Sequence, residues 1–591
     1  MRLGYVFLPL VFKLTAACTS ILVSAGASSH GYPMTSHSND CALCDPRVAV
    51  VPRSRRDKQF IYSNVPPSFP RRLEVGRARI YEPSQDQTVK TPLGIIPQYN
   101  ETLALYESSY PLINEAGLAF GESTTSALPL LDTGSGLFTM APLMTVAMER
   151  CSTARCAIAT MGALAEEYGF TGDVRGASET VTIVDRHDAW VFEMTGDGTS
   201  KGALWVAKRV PDGEVVVVAN TIVIKVVDLD DSDNYMYSVN LAAKLKHLGL
   251  VHGHERRIPW QAIISQPLTL PRYASLRMWR VYSKLVPSRD IINAEDPDSY
   301  PFSMKPDQPV SITDVMRLFQ DHYEGTEYDM TKGFIAGPFG NPSYEFSKAD
   351  LDVNHGQIPR AISLMRTSYT VVSVSGLHAK TMIAFHAPSS SVFLPLWAEA
   401  LSSSEYPLDA SMGTETGPKL QKFDRYTAFW AFDLVANMMT LQYRNISQDL
   451  VFPERDRLQQ LVMKQMEEAE EKAENSPTKS ADICRSVQVS IQERITRDWW
   501  ELCDKLIVRY NDGFYNFPDI SPESIWPLTY PIAWLQMIGL SDKFLYPPQN
   551  WVSPVLYAST QWLIIVAIAI PLSFISGLAI SISLGSKSKR L

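Results

Sequence analysis

Cys18-Thr19-Ser20-Ile21-Leu22-Val23 is the stretch on which the reading of this chain turns. It is a β-rich run that starts on a thiol and directly follows a short apolar leader. Arg2 gives the leader a positive start, Leu3 to Leu14 is mostly apolar, and Thr15-Ala16-Ala17 offers small residues for a signal-peptide cut. Pro9 and Lys13 interrupt the apolar run, which keeps two other readings open: an uncleaved N-terminal anchor with an ordinary thiol, or a lipid-bearing Cys. The second fits less well, because Thr15 stands where a lipoprotein leader would usually carry Leu. Removal of residues 1–17 is the expectation. Cys18 would then hold a thiol and a free α-amine on one Cα, a nucleophile with its own base. A free thiol titrates near about 8.5 and an α-amine near about 7.7–8.0. The amine can therefore take the thiol proton near neutral pH and return it to a leaving amine. That chemistry points to amide hydrolysis, with leader removal as the activating step.

Outward from this run, the first third reads as strands joined by short turns. Tyr32 to Ser38 is the returning strand, and Thr180–Asp185, Ala189–Thr195, Leu204–Arg209 and Glu214–Ala219 follow. Close spacing favours antiparallel pairing. Val215-Val216-Val217-Val218 does not alternate, so it is expected to be covered on both faces. Ala141–Glu149, Thr153–Tyr168, Ile312–Tyr323 and Tyr426–Leu441 read as helices, with Gly169 ending the second. The charged run Arg455–Asn475 reads as a solvated helix, broken by Ser476-Pro477-Thr478. Strand groups with inserted helices imply a layered α+β architecture.

Trp562–Leu584 is an apolar run without a charge, long enough to span a bilayer, and Lys587, Lys589 and Arg590 follow it. The expectation is a single-pass membrane protein: residues 18–555 outside or in a lumen, 562–584 spanning, 585–591 as cytoplasmic tail. Net charge −9 makes a nucleic-acid surface unsuitable. Apart from Cys18, six of the seven cysteines fall in close sets: Cys41 with Cys44, Cys151 with Cys156, Cys484 with Cys503. Even numbers suit disulfides; local pairing is the preference, connectivity staying open. Asn100 and Asn445 open glycosylation sequons. The acidic stretch Asp228–Asp233 lacks the Gly and distal Glu of a calcium loop and reads as solvated. No cofactor and no metal site are expected.

Cys18–Val23 followed by a Gly-containing turn and Asp40, then Gly121-Glu122-Ser123-Thr124-Thr125-Ser126, Leu276-Arg277-Met278-Trp279-Arg280 and Tyr300-Pro301-Phe302-Ser303, form an ordered set. Asp321–Thr326, Gly337–Pro342 and Ile362–Tyr369 extend it. In that order they resemble peptidase family C69, the cysteine dipeptidases and secernins of the N-terminal-nucleophile hydrolases. The resemblance runs from residue 18 to about 440 and implies one catalytic core, 18–440, in a four-layer αββα sandwich, with 441–555 as a helical and Pro-rich extension. It implies short peptides as substrates. It places Cys18 as nucleophile, Asp40 as the acid that orients it, Asn220 as oxyanion donor, and Arg277 as a distal supporting Arg, with Arg280 as substitute. One departure stands out: relatives carry Arg in an Arg-Asn-x-Asp pattern, whereas this chain has His37-Ser38-Asn39-Asp40. His37 is a weaker, titratable cation. Two other functions stay open: an acylase for non-peptide amides, with which the start at Cys18 is equally compatible, and a surface glycoprotein with a relic hydrolase fold, for which His37 is the best support. Self-association is left open as well.

Overall fold

The structure is a computed structural model that describes residues 18–41, 44, 46–62, 91–99, 101–172, 177–253, 255–266, 271–289, 294–296, 299–343, 359–403, 423–425, 427–517 and 524–540. Two compact units divide the chain, 1–504 and 505–591.

The first unit is built on two antiparallel sheets. One has six strands in the order Val215–Val218, Ser20–Val23, Met34–Asn39, Tyr369–Val374, Lys380–Phe385, Leu394–Trp397. The other has eight, in the order Tyr235–Tyr237, Leu204–Arg209, Ala189–Thr195, Ala177–Val184, Ala119–Ser126, Pro111–Asn114, Leu105–Glu107, Ala49–Val51. The faces they turn to each other are small and polar. Ser20 and Thr35 of the first sheet both reach the Thr182 hydroxyl of the second at 2.6 Å. Gly121 is needed at this seam, since a Cβ there would lie 2.3 Å from the Ser36 carbonyl oxygen.

Helices cover the outer faces. Met140–Arg150 and Ala154–Tyr168 lie on the eight-stranded sheet over a core that includes Phe120, Ile158, Met161, Trp190 and Phe192. The second of these starts on a Thr153 side-chain cap and stops at Gly169, whose φ of 84° suits glycine. Pro271–Leu285, Ile312–Phe319 and Ala428–Met439 pack on strands of the six-stranded sheet. The Val-rich strand is fully buried, and its outer edge is closed by Met304 pairing with Val215.

Phe452–Glu474 differs from the solvated helix expected. Leu458, Val462, Met466, Ala469 and Ala473 form a buried stripe at helical spacing, so this helix has a packed face beneath its charged one. The second unit, described by itself, holds a three-stranded sheet of Tyr510–Asn511, Phe514–Asn516 and Ile525–Pro527 and the short helix Ile532–Met537.

The membrane-spanning expectation is corrected. Trp562–Leu584 and the tail 585–591 lie outside the described residues, as does the leader 1–17. Among the described residues no helix is long and apolar enough to cross a membrane. The two longest, Phe452–Glu474 and Ser480–Arg509, have the length but carry charges throughout. An α+β fold with a C-terminal transmembrane helix therefore gives way to a mixed α/β body without one among its described residues. The single-pass placement of 18–555 outside or in a lumen falls with it.

Candidate active site

Strand periodicity puts Cys18 and Ser20 on one face of their strand and Thr19 on the other. Ser20 faces the second sheet, and so does Cys18, which is fully buried. On the neighbouring strand Thr35 and His37 point the same way. Ser123 of the opposite sheet donates its hydroxyl to the Cys18 carbonyl at 3.1 Å. Arg277 approaches from the helix Pro271–Leu285: its Nη1 donates to that carbonyl at 3.1 Å and to Thr19 Oγ1 at 2.8 Å. The backbone of residue 18 is thus held from both sides.

Asp40 follows the second strand and is fully buried. Its charge acts on the buried Cys18 thiol. Its carboxylate accepts from Thr367 Oγ1 at 2.6 Å, Ser38 Oγ at 3.0 Å and Arg360 Nη2 at 2.5 Å. Arg360 is a residue the sequence reading missed, since it lies outside the matched stretches and has no spacing relation to Asp40. Its Nη1 donates to Asn220 Oδ1 at 2.8 Å, where Arg277 Nη2 also donates at 2.7 Å. Tyr273 lies against both guanidinium groups, 4.7 Å from Arg360 and 5.2 Å from Arg277. Burial, and then the Arg360 charge, lower the pKa of Arg277.

Asn220 ends the Val-rich strand in the left-handed region, φ 60°, which Asn tolerates better than most residues. Its amide orientation follows from its neighbours: the oxygen accepts from two arginines, and Nδ2 donates to the Thr124 carbonyl at 2.7 Å. One of the two Nδ2 protons is committed there, and the other is the one that can serve an oxyanion.

Glu122 is the second residue the sequence reading passed over, although its motif was noted. It is fully buried, and its carboxylate lies within 4.8 Å of the Cys18 sulfur. Burial raises the thiol pKa well above its ordinary value; the charges of Glu122 and Asp40 add to the effect. His37 Nδ1 donates to the Glu122 carbonyl oxygen at 2.8 Å and lies 3.9 Å from its carboxylate. Burial lowers the His37 pKa, against an upward pull from Glu122. His37 is therefore a neutral imidazole near pH 7. The donor atoms of Cys18, His37 and Glu122 lie within 4.8 Å of one another.

Arg280 does not join this group. It makes a two-pronged pair with Asp321, Nε to the two carboxylate oxygens at 2.8 and 2.9 Å, three residues along the helix from Arg277. Asn100 lies outside the described residues. Asn445 sits within the helical turn Tyr443–Ile446, with Ser447 of its sequon buried, unlike the exposed loop a glycan needs. Cys41–Cys44 and Cys151–Cys156 are disulfides. Cys484 and Cys503 are free. They share one helix nineteen residues apart, a separation of about 28 Å that no disulfide spans. In the acidic stretch Asp231 caps Asn234 and Asp230 pairs with Arg256.

A buried thiol at a strand start, with an acid, an amide and two guanidinium groups gathered about its residue between antiparallel sheets, is an arrangement able to carry amide hydrolysis. Residues 17–453 match Peptidase family C69, and the chain belongs to that family: it is a peptidase. Among similar proteins, Probable dipeptidase A of Streptococcus pyogenes serotype M3 (strain SSI-1) is 28% identical over 370 residues, 60% of this chain and 69% of that one. Its counterpart in serotype M18 (strain MGAS8232) is 25% identical over 446 residues, 73% and 84% of the two chains. A solved penicillin V acylase from Agrobacterium tumefaciens is 12% identical and covers 64% of this chain and 86% of its own, with a TM-score of 0.28, too low to define a shared fold.

Proposed function

We propose that this peptidase is a cysteine dipeptidase, with Cys18 Sγ as nucleophile and the α-amine freed by removal of residues 1–17 as its base. One observation carries the reading: Arg277 and Ser123 both grip the Cys18 carbonyl, so the first residue of the cut chain is fixed where its thiol lies within 4.8 Å of His37 and Glu122. The relatives named dipeptidases support small peptides as substrates.

The amine takes the thiol proton as sulfur attacks the scissile carbonyl. The second Nδ2 proton of Asn220 meets the developing oxyanion, a contact of the kind worth roughly 10²–10³ in rate. The ammonium then protonates the leaving amine, which departs as the C–N bond breaks and leaves a thioester on Cys18. The amine next accepts a proton from water, whose oxygen attacks the thioester; the acid leaves and the thiol is restored. A cation at the freed terminus also offsets the charges of Glu122 and Asp40 that hold the thiol protonated. Asp40, Arg277 and Arg360 position these groups and take no proton.

Terminal sequencing of active protein with a dipeptide panel tests this. Active chains are expected to start at Cys18, and Cys18→Ala is expected to lose roughly 10³-fold or more in turnover. Wild-type turnover by chains still extended before residue 18, or by Cys18→Ala, overturns it.

A further inference from the structure

A second cluster of reactive side chains lies away from Cys18. His378 stands in the turn between strands Tyr369–Val374 and Lys380–Phe385, Glu399 opens the short helical turn Glu399–Ser402, and Cys484 is in the first turns of Ser480–Arg509. Their donor atoms lie within 4.8 Å of one another. Two of them converge on one oxygen: His378 Nδ1 is 2.6 Å and Cys484 Sγ 3.1 Å from Glu399 Oε1. The other carboxylate oxygen, Oε2, is held by the Ser480 hydroxyl, which aims Oε1 at the cluster. The His378 side chain is about nine-tenths buried, and its Nε2, which makes no hydrogen bond, faces Glu474 Oε1 at 3.5 Å. His378 also has φ 52°, a left-handed conformation uncommon outside glycine.

We propose that His378 Nδ1, Glu399 Oε1 and Cys484 Sγ form a divalent-metal site, suited to zinc. Nitrogen, thiolate and carboxylate are the donor types zinc takes, at about 2.0–2.3 Å each. The imidazole nitrogen and the sulfur crowded on that carboxylate oxygen need to part from it by less than about 1 Å to admit an ion at those distances. As the ion enters, the thiol proton leaves to solvent and sulfur takes its place on the metal. The imidazole proton shifts from Nδ1 to Nε2, where Glu474 accepts it, the carboxylate–histidine–metal arrangement of well-ordered sites. Glu470 and Glu474 against Lys380 leave the surroundings net negative before Glu399 is counted. The family match ends at residue 453, so Glu474, Ser480 and Cys484 come from the part of the chain beyond it. The metal would clamp the long helix of that extension to a hairpin turn of the six-stranded sheet.

The test uses the full chain, stripped with a chelator and titrated with Zn²⁺, and with Co²⁺ as a coloured probe. One metal per chain and a thiolate-to-cobalt charge-transfer band are expected in wild type, in Cys503→Ser and in Cys18→Ser. Cys484→Ser should abolish the band, and His378→Gln should weaken binding at least tenfold while circular dichroism stays native. Where Cys484→Ser fails to fold, His378→Gln alone decides. Folded wild type without a thiolate band overturns the proposal; so does a band that survives Cys484→Ser, affinity unchanged in His378→Gln, or a band lost in Cys18→Ser.

Discussion

Arg360 connects two residues that sequence reading had named separately. Asp40 and Asn220 came from resemblance; the guanidinium that bridges them sits far along the chain, and no spacing could have exposed it. His37 in place of the relatives' Arg looked like a missing cation. Arg360 puts a cation against Asp40 from another direction, and His37 is left as a neutral ring beside Glu122. Both ends of the Arg360–Asp40 pair are buried, so losing either leaves a charge without its partner. Arg360→Met should cost about 3–5 kcal/mol of stability, and the double variant with Asp40→Asn should cost less than the sum of the two. Denaturant unfolding of the four proteins in that cycle measures it, and additive losses would show the pair to be uncoupled.

At the scale of elements, strands with strong local pattern were legible. Ala189–Thr195 and Leu204–Arg209 were read at the ends they have in the structure, and the helix read as Thr153–Tyr168 declared itself through its apolar spacing and Gly169, with Thr153 proving to be its cap. Strands whose outlines depend on partners were not: Leu105–Glu107 and Pro111–Asn114 are short and take their form from the sheet around them. The cysteines show the same limit. Proximity in sequence suggested three pairs, yet Cys484 and Cys503 lie on one continuous helix, and a helix interior keeps distant residues apart. Titration of the denatured, unreduced full chain with a thiol reagent should therefore count three free thiols, Cys18, Cys484 and Cys503, and reduction should raise the count to seven. A single thiol before reduction would restore the Cys484–Cys503 pair and remove the metal site with it.

For the molecule as a whole, one buried acid ties stability to pH. Glu193 lies in the middle of the eight-stranded sheet, and Trp260 Nε1 and the backbone N–H groups of Val223 and Ile224 donate to it at 2.9, 2.6 and 3.1 Å. Burial raises its pKa from 4.5 to about 7, outweighing those three donors. The folded protein therefore holds this proton more tightly than the unfolded chain. The resulting stabilisation is complete below about pH 4.5 and is lost as pH climbs through 7, a change of about 3 kcal/mol. The segment it anchors, Val223–Ile224, follows Asn220. Glu193→Gln keeps an oxygen for Val223 and Ile224 but sets an N–H against Trp260, a cost independent of pH. Unfolding free energies at pH 5, 6, 7 and 8 should show the variant weaker than wild type at pH 5 and the gap closing by pH 8. Parallel curves would mean that Glu193 is ionised throughout, and the three donors, rather than burial, would then govern it.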